Sequence, residues 1–457
     1  MKEVNKNARR TTFLYISNLL FFLLIFMASA AAQDIEALVD EYVNAHMKLG
    51  DFSGSVLIAN GDKVLVCKGY GLANIEYDAL NTPKTKFRLG SVTKQFTAMA
   101  IMQLQEDGLL NIDDPLSKFI PDYPDGDRIT IQHLLTHTSG IPNLLDFPEL
   151  ENIKKDETTV EEIIEIFINE PLEFTSGEKY QYSNSGYTLL GYIIEKVSGK
   201  TYEEYLKENI FIPLNMKDSG YDHHSTILQY RASGYFPSKN GIINAKYIDM
   251  SIPFGGGCLF STVEDMYLWD RALYTDKLLN ESSLNEIFTP FKDDYGYGWY
   301  ISDIHNRKCI RHSGGIDGFT ANISRYVDDN VCIVVLSNFE HTPVNNISKD
   351  LAAILFGEKY ELPSKRDVVT LDPVIYKNYI GTYEFGPDNL LNITIENDHL
   401  FIAPPGQPEV EIFPESETKF FVKAFDAEIT FIKSGKGEVT ELIFHVGGNE
   451  IPAKKIK

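Results

Sequence analysis

The sequence predicts an α/β fold, in which an antiparallel sheet is flanked by helices and joined to a helical lobe, followed by a small all-β barrel. Strand patterns occur at both ends of residues 33–362, helical patterns dominate between them, and residues 369–457 show only short alternating strands. We therefore expect the two ends of the larger domain to form one sheet, with the helical lobe beside it and a cleft between them. Residues 363–368 form the predicted linker.

Residues 1–32 have the three parts of a secretory signal. Four basic residues within the first ten precede an apolar run from Leu19 to Ala28 and small residues up to Ala32. We therefore predict cleavage near residues 30–33 and export to the periplasm or the extracellular space. The alternative is an uncleaved anchor, although the apolar run is shorter than the roughly 20 residues that normally span a bilayer.

The elements of the larger domain follow from periodicity and from turn residues. Apolar spacing predicts a helix over 35–47, and Asn60-Gly61 predicts a hairpin between strands 55–59 and 63–67. Prolines divide the region from Lys94 to about Leu214 into short helices. Strands are then predicted at 297–302, 308–312, 319–327 and 331–337, a helix at 344–355, and barrel strands at 381–385, 391–396, 400–403, 418–423, 428–432 and 441–445.

The composition limits the classes of partner that the protein is expected to bind. The formal net charge is −23 at pH 7, and such an acidic surface repels nucleic acid and anionic membranes. We predict no nucleic-acid partner and membrane contact only through an uncleaved signal. The oligomeric state is not predicted.

The sequence predicts neither a metal nor a cofactor. The four cysteines lack the paired spacing of a zinc site and are predicted to be buried free thiols. Asp222-His223-His224 lacks the i, i+4 spacing of a helical metal site, so a solvated loop is expected there.

The motif Ser91-Val92-Thr93-Lys94 opens a helix that is predicted over 93–106. Its spacing places an amine one helical turn from a hydroxyl, where the amine can remove the proton that otherwise keeps a serine inert. Ser176 and Ser416 also begin Ser-x-x-Lys sequences, but Ser176 precedes a glycine and Ser416 lies in a strand pattern. Only Ser91 has the setting that a nucleophile at a helix N-terminus needs.

Five stretches occur in a characteristic order, at residues 87–97, 133–141, 180–184, 255–265 and 312–315. With them, residues 35–357 resemble the serine β-lactamase and penicillin-binding-protein superfamily, in its class C-like branch with D-aminopeptidases, D-Ala-D-Ala carboxypeptidases and esterases. The C-terminal segment resembles, more weakly, the lipocalin-like domains attached to some of these hydrolases.

The resemblance implies a role for each motif residue. Ser91 would be the nucleophile, and Lys94 and Tyr182 would share the work of base and proton shuttle, which requires surroundings that lower the pKa of both groups. Asn184 would hydrogen-bond Lys94 and the substrate amide. The resemblance also implies that His312 is one of the catalytic residues.

The strand edge is expected to contribute backbone groups. The N–H groups of Ser91 and Gly315 would form the oxyanion hole, and Gly314 and Gly315 would leave the edge bare for an extended substrate. His137 is expected to tie down its own loop.

One departure from the β-lactamase pattern concerns the substrate. Where β-lactamases place Lys-Thr-Gly, this chain has His312-Ser313-Gly314, and a neutral imidazole grips a carboxylate poorly. We therefore hypothesise an ester, small amide or peptide substrate of D-amino-acid or cell-wall type, with slow or no β-lactam hydrolysis. A β-lactamase or DD-carboxypeptidase proper, and a catalytically silent penicillin-binding scaffold, are the alternatives.

Overall fold

The structure is a computed structural model that describes residues 35–238, 241–364, 367–386, 389–403, 409–422, 427–435, 437–446 and 449–457. The predicted export signal at 1–32 lies outside these residues, and so does part of the predicted linker. Within the described ranges, none of the helices combines the length and the apolar composition that a bilayer crossing requires.

The larger domain has strands at both ends and helices between them. Its first part consists of α1 (35–49), β1 (Gly54–Asn60), β2 (Lys63–Tyr70), β3 (Leu72–Asn74), β4 (Ala79–Leu80), β5 (Phe87–Arg88) and α2 (Thr93–Glu106). The helical middle consists of α3 (Ile131–Leu135), α4 (Leu150–Ile153), α5 (Val160–Glu165), α6 (Asn184–Ser198), α7 (Tyr202–Leu206) and α8 (Ile212–Leu214). The last part consists of β6 (Gly220–Tyr221), β7 (Tyr235–Ser238), β8 (Gly241–Asn244), α9 (Phe254–Gly257), β9 (Leu259–Ser261), α10 (Val263–Ala272), α11 (Glu281–Ile287), β10 (Tyr300–Ile304), β11 (Arg307–Ile316), β12 (Phe319–Tyr326), β13 (Val331–Ser337) and α12 (Val344–Phe356).

A six-stranded sheet in the order β10-β11-β12-β13-β1-β2 joins the two ends of this domain. The register places Gly54 of β1 opposite Ser337 of β13, which confirms the predicted single sheet. Side chains along β1 alternate between two cores: Val56 packs with α1 and α12, and Leu57 packs with α2 and α10. The sheet is therefore covered on both faces, and α2 is held directly against it.

Two predicted strand boundaries beside the cleft are wrong. β10 begins at Tyr300 rather than at residue 297, because Gly298 takes a left-handed φ of 79° and turns the chain just before the strand. β11 continues past His312 to Ile316, since its last residues pair with β12 as far as the Ile316–Phe319 pair. The extra residues of β11 become the edge of the cleft.

The C-terminal domain is a closed barrel of eight antiparallel strands, as expected for a small all-β domain. Two of its strands, β17 and β21, were not predicted, because each contains a proline, which normally interrupts a strand pattern. β21 nevertheless closes the barrel by pairing with β14 at Tyr383 and Lys455. The strands are β14 (Gly381–Gly386), β15 (Asn389–Glu396), β16 (His399–Ala403), β17 (Val410–Pro414), β18 (Lys419–Val422), β19 (Ala427–Lys433), β20 (Val439–Val446) and β21 (Asn449–Lys455).

The β7–β8 hairpin of the larger domain contacts the barrel. Sequence periodicity did not predict this hairpin, yet the side chain of Phe236 in β7 packs against the apolar core of the barrel. The barrel is thereby held beside the cleft of the larger domain.

The four cysteines are free, as predicted. Cys258, Cys309 and Cys332 are buried, whereas Cys67 is only half-buried because it lies on β2, an edge strand of the sheet.

Candidate active site

Ser91 lies in a single 3₁₀ turn, Gly90–Val92, that leads directly into α2. This turn is packed against the backbone of β11 so tightly that only glycine fits at Gly314. A Cβ added there would lie 2.0 Å from the carbonyl oxygen of Leu89 and 2.7 Å from the amide nitrogen of Ser91. The helix and the central sheet therefore position the serine together.

Lys94 lies one turn further along α2, and its side chain is completely buried. Its Nζ is 3.1 Å from Ser91 Oγ, 2.8 Å from Asn184 Oδ1 and 2.9 Å from the carbonyl oxygen of Gly256. Burial holds the pKa of the Lys94 ammonium well below its usual range. The amine is therefore predisposed to the neutral form in which it can act as a base.

The partners of Lys94 determine the direction of these hydrogen bonds. The oxygens of Asn184 and Gly256 are carbonyl oxygens and can only accept. A neutral amine has two N–H groups, so it donates one to each of these oxygens and directs its lone pair at Ser91. The hydroxyl of Ser91 then donates to Lys94, which is the arrangement that proton removal requires.

Asn184 is held in the correct orientation by Asn143. The Asn143 Oδ1 atom accepts hydrogen bonds from the backbone N–H of Asn184 at 2.9 Å and from its Nδ2 at 3.1 Å. The amide oxygen of Asn184 is thus left to face Lys94. The sequence analysis did not identify Asn143, although this residue lies only two residues beyond the 133–141 stretch. It also gave no role to the carbonyl of Gly256, because every residue has a backbone carbonyl and the sequence does not show which one accepts a hydrogen bond.

Tyr182 lies beside both Ser91 and Lys94. Its hydroxyl interacts with the side chain of Ser91, and Lys94 Nζ is 4.9 Å from the centre of its ring. The expectation that the site lowers the pKa of this phenol is wrong: desolvation raises the pKa, and the interaction with Ser91 only partly opposes it. The same burial that favours a neutral Lys94 removes the cation that would have stabilised a phenolate, so Tyr182 stays a neutral phenol.

His137 ties two of the motif stretches together. It is buried and takes a left-handed φ of 54°. Its Nδ1 accepts a hydrogen bond from the backbone N–H of Ser183 at 3.2 Å, and its ring centre is 4.2 Å from that of Tyr182. This arrangement agrees with the expected structural role.

His312 is close to the other residues, but both of its ring nitrogens are engaged elsewhere. Tyr295 donates its hydroxyl to Nε2 at 3.1 Å, and Nδ1 donates to the carbonyl oxygen of Ser313 at 2.5 Å. Burial lowers the pKa of His312 to about 3. The ring is therefore neutral, it does not hydrogen-bond Ser91, and it orients Tyr295 against the ring of Tyr182.

The edge of β11 is open where Gly315 faces the cleft. Pairing between β10 and β11 ends at the Tyr300–Arg311 pair, so residues 312–316 have no strand on that side among the described residues. A Cβ added at Gly90 would lie 2.9 Å from the nitrogen of Gly315, which shows how closely the two backbones approach. A Cβ added at Gly315 itself would meet nothing within 4 Å. The predicted oxyanion groups, Ser91 and Gly315, are thus adjacent and accessible from the cleft.

The Asp222-His223-His224 segment forms ion pairs rather than a ligand cluster. Asp222 pairs with Arg88 Nε at 2.7 Å and with Arg231 at 2.7 Å, and His223 Nε2 lies 2.8 Å from Glu203. Asp222 is almost completely buried, so these pairs hold neighbouring loops together.

Comparison with known proteins agrees with this geometry. The profile of the family described as Beta-lactamase matches residues 36–358. The chain belongs to that family. It is a β-lactamase-related serine hydrolase in fold and class, and residues 365–455 match the family described as Domain of unknown function (DUF3471).

Its relatives include penicillin-binding proteins. The chain is 30% identical over 440 residues to Penicillin-binding protein 4* of Bacillus subtilis (strain 168), an alignment that covers 89% of this chain and 95% of that protein. The octameric penicillin-binding protein homologue from Pyrococcus abyssi is 27% identical, with a TM-score of 0.64 over 92% of this chain and 99% of that one. The D-amino acid amidase from Ochrobactrum anthropi SV3 shares the fold, at 24% identity and a TM-score of 0.65 over 71% of this chain and 99% of that one.

Proposed function

We propose that this protein hydrolyses an ester, or a small amide or peptide, through an acyl-enzyme on Ser91. The observation that supports this most directly is the set of partners around Lys94 Nζ. Two carbonyl acceptors, on Asn184 and Gly256, leave the lone pair of the neutral amine for the hydroxyl of Ser91. A serine in such a position is an activated nucleophile.

The proposed reaction has two stages. Ser91 Oγ bonds to the substrate carbonyl carbon while its proton passes to Lys94, and the N–H groups of Ser91 and Gly315 stabilise the oxyanion. When the oxyanion collapses, the bond to the leaving group breaks and the leaving atom takes a proton from Tyr182, whose phenol is then restored by the Lys94 ammonium. Water next attacks the acyl carbon and gives up a proton to Lys94. When this second intermediate collapses, the bond to Ser91 Oγ breaks and Oγ takes the proton back from the Lys94 ammonium, which releases the acid and restores the free enzyme.

The protonation state of His312 affects which class of substrate the site can bind. With a pKa lowered to about 3, the imidazole is neutral throughout the physiological range. It therefore supplies no cation to grip the carboxylate of a β-lactam or of a peptide C-terminus. We propose that neutral acyl compounds are the preferred substrates and that β-lactams are poor ones.

Labelling with a fluorophosphonate probe tests the nucleophile. The wild type should be labelled, and Ser91→Ala should not. Ser176→Ala is a matched control from another Ser-x-x-Lys sequence and should be labelled normally, because Ser176 Oγ donates to the carbonyl of Ser139. Lys94→Met should slow labelling by about 10²- to 10⁴-fold, the usual contribution of a positioned base.

Other outcomes would favour the alternatives. Absence of labelling, together with no hydrolysis of p-nitrophenyl esters or D-amino acid anilides, would favour a silent scaffold. Turnover of a chromogenic cephalosporin as fast as that of a simple ester would favour a β-lactamase. Export is also a proposal, which detection of the processed chain outside the cytoplasm would test.

A further inference from the structure

A large apolar cavity opens directly onto Ser91. Its volume is about 800 Å³, which is within the range of pockets that enclose a whole small molecule. Its lining residues include Gly90, Ser91, Asn184, Gly256 and Gly315, so the nucleophile and the oxyanion groups face a single chamber.

The walls of this chamber come from both domains. The larger domain contributes apolar side chains from the segment before α4, from β8 and from the end of β11, and the barrel contributes side chains from around its mouth. Representative lining residues are Leu144, Ile243 and Ile316 from the larger domain and Leu390, Ile402 and Phe444 from the barrel. Ile402 also belongs to the barrel core, so the chamber reaches into the barrel itself.

The acidic and basic residues of the chamber lie close to one another. Lys154 Nζ lies 3.2 Å from Asp317 and 3.6 Å from Glu151. Glu340 accepts the backbone N–H of Gly318 at 2.8 Å and interacts electrostatically with Lys154. With Lys246, these groups make up the charged part of the lining, and most of the remaining side chains that line the chamber are apolar.

The position of Tyr182 shows which part of a substrate the chamber receives. Tyr182 supplies the proton of the leaving group in the proposed reaction, and it is not among the residues that line the chamber. Ser91 and Gly315, whose N–H groups would hold the oxygen of the acyl carbonyl, do line it, and so does Asn184. The chamber is therefore on the acyl side of the scissile bond.

We propose that the barrel mouth and the larger domain together form a binding site for an extended apolar acyl group, so that the preferred substrates are esters or amides of medium-chain, uncharged acids. This inference rests on the proposed function and specifies its substrate class. It gives the barrel a role in specificity: the barrel supplies the far wall of the acyl chamber. The chemistry is the hydrolysis described above, in which water cleaves the acyl bond and releases the apolar acid.

A series of p-nitrophenyl esters with one leaving group and increasing acyl length tests this. Each methylene that enters the chamber should raise kcat/KM by up to about fourfold. From the butyrate to the octanoate the wild type should therefore gain up to about two orders of magnitude.

Two matched variants on the barrel strand β15, and a third on the hairpin strand β8, test whether the proposed lining residues contact the acyl group. Leu390→Gln places a polar amide in the chamber and should lower the octanoate-to-butyrate ratio at least tenfold. Ile395→Gln, at an exposed position of the same strand β15, should keep the wild-type ratio. Ile243→Gln, on the exposed hairpin strand β8, tests the chamber without altering the barrel and should also lower the ratio.

The outcomes separate this inference from the function on which it rests. Equal kcat/KM for acetate, butyrate and octanoate in the wild type, with normal fluorophosphonate labelling of Ser91, would overturn the acyl chamber and leave the hydrolase intact. An unchanged ratio in both Leu390→Gln and Ile243→Gln would also overturn it. Absence of both labelling and ester turnover would overturn the proposed function, and the acyl chamber with it.

Discussion

Replacing Gly314 with alanine should disable the site by displacing the nucleophile, although the new methyl group touches no catalytic side chain. The added Cβ would lie 2.0 Å from the carbonyl oxygen of Leu89 and 2.7 Å from the nitrogen of Ser91. Real Cβ contacts essentially never fall below 3.0 Å, so the turn that carries Ser91 must retreat from β11 by about 1 Å.

The size of the effect follows from the displacement of the Ser91 N–H group relative to the Gly315 N–H group. The oxyanion hole needs the N–H groups of Ser91 and Gly315 to point at one oxygen, and one misaligned donor costs about 3 to 4 kcal/mol of transition-state stabilisation. We therefore expect acylation of Ser91 in Gly314→Ala to be about 10² to 10³ times slower. Overpacking of this kind should also lower the free energy of unfolding by about 1 to 3 kcal/mol.

The neighbouring glycine provides the control. A Cβ at Gly315 meets nothing within 4 Å and leaves its N–H in place, so Gly315→Ala should acylate within tenfold of the wild-type rate on p-nitrophenyl acetate. The assay is the p-nitrophenolate burst measured by stopped flow, with circular dichroism to establish that both variants are folded. A folded Gly314→Ala that acylates as fast as Gly315→Ala would refute the tight contact between the turn and the strand as the basis of the oxyanion hole.

Two further predictions concern positioning and pH. Asn143→Ala removes the acceptor of two hydrogen bonds from Asn184, each worth about 1 kcal/mol, and should lower kcat/KM about 10- to 30-fold in steady-state assays, while Asn143→Asp should restore most of it. Unchanged kinetics in the alanine variant would show that the orientation of Asn184 is set elsewhere. Burial lowers the pKa of His341 to about 4, so between that value and its unfolded pKa near 6.5 the unfolded chain binds the extra proton and stability falls as the pH falls. From pH 7 to pH 5 the wild type should therefore lose about 2 kcal/mol more of unfolding free energy than His341→Gln in urea titrations followed by tryptophan fluorescence, and equal losses would contradict a neutral buried His341.

Local patterns predicted the part of the fold that carries the nucleophile. Helix α2 spans the predicted residues Thr93–Glu106, and the Asn60-Gly61 hairpin joins β1 and β2, because a helix boundary and a tight turn depend on a few neighbouring residues. The same reasoning did not predict strand β21. Its proline is unfavourable for an isolated strand, and only the closure of the barrel stabilises the segment as one.

The sequence alone determined the order of the chemical groups: a hydroxyl and an amine one turn apart on a helix, a tyrosine and an asparagine at the start of α6, and a glycine pair on a strand. Their protonation states were decided only by the tertiary structure. Whether Lys94 is an amine or an ammonium, and whether Tyr182 is a phenol or a phenolate, depends on burial and on partners such as Gly256, which is 162 residues from Lys94 in the chain. The same holds for the barrel at the mouth of the chamber, because packing between domains depends on surfaces that no short stretch of sequence contains.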